Sequence, residues 1–265
     1  MATSQDRLAS VVERVQRKFP NFMLQTQVLR REVPLNSNNN NYKFSLKSGS
    51  GNNPNGESGE EVFLDENDAF VLCGLSLAVK KIDTSFTVDR YGNYPIFTYP
   101  DPQVFVGAPA SRAKEYEALQ CVWNGQLSFR TNTLQRIKAM DASKFQFTPP
   151  TQVINAVATS NVATQSYAGN GLTNPRLPEY GGWDWESQGF IELLPAKILD
   201  GSENNQFELS LANGDILAID GSYASDGDQD ATARNYLVLR AYGVLIPDGS
   251  KAAKQFSSSW DLLQG

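Results

Sequence analysis

The chain has 265 residues, 40% of them apolar and 20% charged, with 20 Gly, 13 Pro, a formal net charge of -6 and no histidine. The missing histidine removes Ser-His-Asp and Cys-His nucleophile activation, imidazole acid–base chemistry and imidazole metal ligation together. Two cysteines, Cys73 and Cys121, are too few for a four-ligand zinc site. The length suffices for one large or two modest β domains.

Charge is unevenly spread. Residues 1–31 carry Arg7, Arg14, Arg17, Lys18, Arg30 and Arg31 against Asp6 and Glu13, a balance of +4 that leaves -10 for the remainder. The first residues lack the basic and then apolar start of a signal peptide, and no apolar run approaches the roughly 18 residues of a membrane span. A soluble chain made in the cytoplasm is expected.

In chain order, Leu8, Val11, Val12, Val15 and Phe19 recur at three and four, which predicts an amphipathic helix from Ser4 to Phe19, capped by Ser4 and ended by Pro20. Its other face holds Arg7, Arg14, Arg17 and Lys18. Such a face suits an anionic surface, or the solvated side of a helix packed on its own protein or on a neighbouring subunit. Extended structure follows from Asn21. Val33 to Gly49 reads as strand, polar turn and strand, and the wholly polar Ser48 to Gly59 as an exposed loop. Phe70 to Val79 is the most apolar run of the first half and predicts a buried strand. Tyr91 to Phe105, with aromatics between prolines, fits an edge strand or a long connection. Ser111 to Leu119 predicts a short helix, and Asn124-Gly125 a hairpin or bulge between strands near Val122 and Arg130.

Residues 151–188 turn to Ala, Asn, Thr, Gln and Gly and read as a long surface connection. Strands are then expected at Phe190 to Ile198, at Ile198 to Gly214 with a second polar turn, at Ile216 to Ile219 and at Tyr236 to Ile246. The chain ends in a docking tail with Trp260, Leu262 and Leu263. At an offset of 165 residues, Tyr42, Phe44, Leu46 and Gly49 fall on Phe207, Leu209, Leu211 and Gly214, while Leu72 and Val79 fall on Leu237 and Val244. Either a β unit is duplicated, or turns and alternating strands resemble each other because they draw on few residue types.

Candidate chemistry is sparse. Asp226, Asp228 and Asp230 offer oxygen ligands of the kind calcium takes, but Leu237 stands where an EF-hand loop needs Glu, so a solvated acidic turn is the preferred reading. Trp183, Asp184, Trp185 and Glu186 would suit a sugar platform or a glycosidase pair, although two acids one residue apart cannot establish the facing carboxylates that glycoside hydrolysis needs. No phosphate-binding or nucleophile-elbow motif is present. No catalytic residue, metal ligand or cofactor is assigned, and buried free thiols are expected at Cys73 and Cys121 unless their strands adjoin.

A basic N-terminal helix, strands joined by long loops and a repeated strand unit together resemble the jelly-roll virion coat proteins, including the double jelly-roll major capsid proteins of small tailless bacteriophages. The resemblance rests on Val33 to Gly49, Ile198 to Gly214, Phe70 to Val79 and Tyr236 to Ile246, and concerns organisation. It implies an all-β protein, one jelly-roll β-sandwich or two, with units at 21–150 and 189–265 joined by 151–188 and preceded by the helix at 1–20. It further implies a non-enzymatic capsid subunit located in the virion, trimeric and in contact with other virion proteins. Arg7, Arg14, Arg17 and Lys18 would face the interior, toward genome or membrane, and Trp260, Leu262 and Leu263 would strap subunits together. Only 77 residues run from Gly189 to the end, short for eight strands, so the second unit starts earlier, near Leu119, or a single larger sandwich is present. A carbohydrate- or cell-surface-binding sandwich and a carboxylate-based glycosidase are the alternatives.

Overall fold

The computed structural model describes residues 4–47, 61–83, 96–98, 111–146, 189–214, 216–221 and 233–256. Helix α1 (Ser4–Lys18) precedes strands β1 (Gln25–Pro34), β2 (Asn41–Ser45), β3 (Ala69–Asp83) and β4 (Ile96–Phe97). Helix α2 (Ser111–Trp123) leads into β5 (Gln126–Thr131) and β6 (Leu134–Asp141), which a 3-10 turn at Ala142–Phe145 follows. The chain then forms β7 (Ile191–Asp200), β8 (Asn205–Ser210), β9 (Ala233–Ile246) and helix α3 (Ser250–Phe256).

These strands make two antiparallel sheets. One runs β1-β9-β3, with β7 and β4 both lying along the far side of β3; the other runs β2-β8-β5-β6. Setting the two-residue β4 aside, the strands pair as nested shells: β1 with β9, β2 with β8, β3 with β7 and β5 with β6. The two sheets face each other across one core, in which Phe44, Leu127, Phe129, Phe207 and Leu209 meet Leu29, Phe70, Leu72, Leu77 and Leu239. The Phe129 and Phe207 rings lie 4.4 Å apart between neighbouring strands.

β3 explains how a 15-residue strand can be apolar almost throughout. Its register against β9 jumps from Leu72 opposite Gly243 to Gly74 opposite Tyr242, so Cys73 is an extra residue in a β-bulge. Before the bulge Phe70 and Leu72 point into the sandwich; after it Leu75, Leu77 and Val79 do. Ala69, Val71 and Cys73 point the other way, into a second apolar layer under α1 and α3. Both faces of this half of the sheet are buried, which is why helical or strand periodicity is so weak there.

Edge strand β1 is covered by a short strap. Val62 exchanges backbone hydrogen bonds with Arg30, at 3.0 Å each, and Leu64 N–H donates to Leu46 O at 2.8 Å, so residues 61–64 join the edges of the two sheets. Arg31, fully buried beside the strap, stacks its guanidinium 4.0 Å over the Phe63 ring and lies 3.6 Å from Glu61. Burial holds Arg31 below the ordinary arginine range, and the Glu61 charge pulls it back up.

Several expectations change. Val33 to Gly49 and Ile198 to Gly214 are not hairpins: each carries the chain from one sheet to the other, from β1 to β2 and from β7 to β8. Both crossings turn on side-chain oxygens, Asn36 accepting from Asn38 N–H and Asp200 from Ser202 N–H at 2.9 Å, a turn chemistry that sequence alone does not distinguish from a hairpin. Strands from 21–150 and from 189–265 lie side by side in the same two sheets. Asn124-Gly125 closes α2 rather than a hairpin, since the helix runs on through Cys121, Val122 and Trp123. A Cβ on Gly125 would lie 2.4 Å from the Ser210 carbonyl oxygen. The real hairpin is β5–β6, turned at Asn132 with φ 53°. Ile216 to Ile219 is a turn, with Ala218 and Ile219 buried. The loops at 48–59 and 151–188 lie outside the described residues.

At the bulge, a Cβ on Gly243 would lie 1.9 Å from the Val71 carbonyl oxygen and 2.8 Å from the Phe70 ring. Gly243→Ala is therefore expected to lower unfolding free energy by about 1–3 kcal/mol, the cost of forcing a methyl into a packed core. Urea denaturation of the two proteins, with an unchanged m-value, checks this.

Candidate functional site

The outer face of the five-stranded sheet carries the N-terminal helix that sequence reasoning singled out. α1 folds onto it through Leu8, Val11, Val12, Val15 and Phe19, the apolar face that the spacing predicted. Phe19 N–H continues the helix by donating to Val15 O at 2.8 Å, and the Phe19 and Phe22 rings meet edge to face at 5.9 Å. Arg14 and Arg17 remain exposed on the opposite side, and Lys18 is half-buried. Glu13 lies 3.7 Å from Arg17 one turn away, but both side chains are more than 70% exposed, so the pair adds little to stability. Arg7 belongs to α1, and its side chain lies outside the described residues.

Sequence reasoning missed α3. This helix covers the same face through Ala252 and Ala253, and it turns Lys251 and Lys254 outward, the Lys254 charge acting on Glu203. The signal was present in Gly249-Ser250 ahead of a run of good helix formers. What holds α3 is tertiary: Ser250 Oγ donates to buried Asp200 Oδ1 at 2.5 Å, and Ser250 N–H to Asn67 O at 2.9 Å. The two helices thus give a chain of net charge -6 a helical surface bearing Arg14, Arg17, Lys251 and Lys254.

Farther along the same sheet face the apolar layer gives way to buried charge. Lys80 Nζ, on β3, reaches over β9 to Glu32 Oε2 on β1 at 2.7 Å, passing the Tyr236 ring at 5.9 Å. Glu32 also receives Arg30 at 2.5 Å. Arg240 Nη2 donates to Ser76 Oγ at 2.9 Å, and its guanidinium stacks on Phe190 at 4.7 Å. Burial, and then the Arg30 charge in the facing register position, lower Arg240 to about 10. Glu32 is wholly buried and binds Arg30 of its own strand and Lys80 of β3, so it ties β1 to β3 across β9.

The remaining predicted positions are not brought together here. Cys73 and Cys121 are free and buried in different apolar layers, one outside the five-stranded sheet and one inside the sandwich. Burial, helped by the Glu192 charge, pushes the Cys73 thiol up to about 12, so it is a packing group rather than a nucleophile. Trp183, Asp184, Trp185, Glu186, Asp226, Asp228, Asp230, Trp260, Leu262 and Leu263 lie outside the described residues. Among the described residues, no group of three or more Cys, Asp or Glu is arranged to hold a metal ion, and no helix is long and apolar enough to cross a membrane.

Glu32→Gln keeps the shape and removes the charge that buried Lys80 shares with half-buried Arg30. An uncompensated buried cation costs about 3–5 kcal/mol, and a loss of that size is expected in equilibrium denaturation. A loss under about 1 kcal/mol, the value of an exposed pair, would contradict it. Comparison with protein-family models, with curated proteins and with solved structures found no match for this chain.

Proposed function

We propose that the protein is the coat subunit of a virion, built as a single jelly roll that assembles with copies of itself. The observation that carries this reading is the nested pairing of β1 with β9, β2 with β8, β3 with β7 and β5 with β6 over two facing sheets. That is the path of one long antiparallel hairpin rolled into a sandwich, the arrangement of a double Greek key. A single roll accounts for the strands of both halves, because all eight longer ones belong to one core.

The surfaces fit the same role. The face of the four-stranded sheet that looks away from the core is polar, with Lys43, Ser128, Arg130, Gln206 and Glu208 partly or fully exposed. The opposite side of the molecule is the helical layer with Arg14, Arg17, Lys251 and Lys254. In a shell this basic side faces the interior, where nucleic acid or anionic lipid supplies the opposite charge; each cation near an anionic membrane contributes about 1 kcal/mol. The capsomer is a trimer of upright sandwiches, as in the small tailless bacteriophages whose coat proteins the sequence resembles.

Negative-stain microscopy and light scattering of the purified protein test this. Trimers, rings or shells are expected, and a charge-reversed variant, Arg14→Glu with Arg17→Glu, is expected to fold with an unchanged unfolding midpoint while assembling less well. A monodisperse monomer at high concentration in every ionic condition would overturn the coat reading.

A further inference from the structure

Lys81 on β3 and Asn235 on β9 are direct register partners at the end of the paired central strands. Glu115, from the middle of α2, lies over both. Lys81 Nζ donates to Glu115 Oε1 at 2.8 Å and to Oε2 at 2.9 Å, and Asn235 Nδ2 donates to the same Oε1 at 2.7 Å. Asn235 is wholly buried, Glu115 is 1% exposed, and the Lys81 side chain is 13% exposed. Asn235 Nδ2 also donates to Ile219 O at 3.1 Å, while its Oδ1 is buried with no hydrogen-bond partner. Gly221, at φ +77°, brings its backbone against the amide so closely that a Cβ there would lie 2.9 Å from Asn235 Cγ.

We propose that these three residues form an intramolecular isopeptide bond between Lys81 Nζ and Asn235 Cγ, with Glu115 as the catalytic carboxyl. The arrangement supplies an amine nucleophile, an amide electrophile and an acid–base group touching both, in a site that excludes bulk water. Transfer of one proton from Nζ to Glu115 converts a buried ion pair into a neutral amine and a neutral acid, the form that attacks. A half-turn of the amide exchanges Oδ1 and Nδ2, whose assignment rests on hydrogen bonding, and sets the partnerless Oδ1 on the Glu115 O–H. The Nζ lone pair then adds to Cγ, and the C=O pair moves to Oδ1, which Glu115 stabilises by its hydrogen bond. Collapse of this intermediate restores C=O and breaks the Cγ–Nδ2 bond. The two protons that Nζ gives up leave with Nδ2 as ammonium, and Glu115 returns to its carboxylate. No electron donor, acceptor or metal takes part. The product is a covalent staple between the two central strands of the five-stranded sheet, independent of whether the protein builds a shell.

Mass spectrometry of the full-length wild-type protein, denatured and reduced, tests the bond. The expected result is a mass lower than that of the sequence by one ammonia, with trypsin failing to cut after Lys81 and a branched peptide joining the Lys81 and Asn235 segments. Glu115→Gln and Lys81→Arg are each expected to restore the full mass and the two separate peptides. Folded wild-type protein at full mass, with both peptides unmodified, would overturn the proposal. So would ammonia loss without the branched peptide, the mark of a succinimide at a site such as Asn213-Gly214. The wild-type measurement decides the matter whether or not the variants fold.

Discussion

The five-stranded sheet is buried on both faces, and most of the molecule follows from that constraint. One face needs a second sheet and the other a layer of helices, so β3 and β9 cannot alternate apolar with polar residues as a half-exposed strand would. The extra residue at Cys73 lets β3 change which of its residues look inward without leaving the sheet. Where the helical layer stops, the outward side chains become charged, and each has a partner within the fold: Glu32 for Lys80 and Arg30, and the neutral Ser76 hydroxyl with the Phe190 ring for Arg240. Buried charge of this kind adds little net stability over a well-packed apolar face, but it penalises any register that separates the partners.

The 165-residue offset acquires a geometric meaning from the strand registers. It takes Lys43 to Glu208, and these two residues face each other across β2 and β8. It takes Leu75 to Arg240 and Ser76 to Ala241, while across β3 and β9 Leu75 faces Ala241 and Ser76 faces Arg240. The offset relates β1 to β7, β2 to β8 and β3 to β9, and within the two pairs β2–β8 and β3–β9 it exchanges facing residues. The sheet order β1-β9-β3-β7 reads the same after the exchange. The exchange is incomplete, because β5 and β6 extend the four-stranded sheet on one side only.

Local features were the legible ones. The helix at Ser4 stands where its periodicity put it, and the long strands Phe70 to Val79 and Tyr236 to Ile246 stand where their unbroken apolar runs put them. The sheet crossings were not legible, since a polar turn between two alternating strands looks the same whether the second strand folds back or changes layers. Asn124-Gly125 misled because helix ends and hairpin turns favour the same pair. Lys81, Glu115 and Asn235 are separated by 34 and 120 residues, and only the β3–β9 register and the seat of α2 bring them together. Each alone is an unremarkable polar residue, Lys81 and Asn235 at the ends of apolar runs and Glu115 among the charged residues that open α2.

The nested pairing also sets an order of events during synthesis. Gln25 pairs with Leu245, so the first strand made waits for the last, and β2 waits nearly as long for β8. At about 5–20 residues per second on the ribosome, that wait is on the order of tens of seconds. For that time β3, the most apolar strand, lacks both of its long neighbours, β7 and β9. Among the described strand pairs, the β5–β6 hairpin, closed by the short turn at Asn132, joins the residues nearest in sequence and can form before the long strands meet. The innermost shell of the nest is thus the natural starting point of folding. The unpaired edges of β3 leave the nascent chain open to aggregation until β7 and β9 have been made.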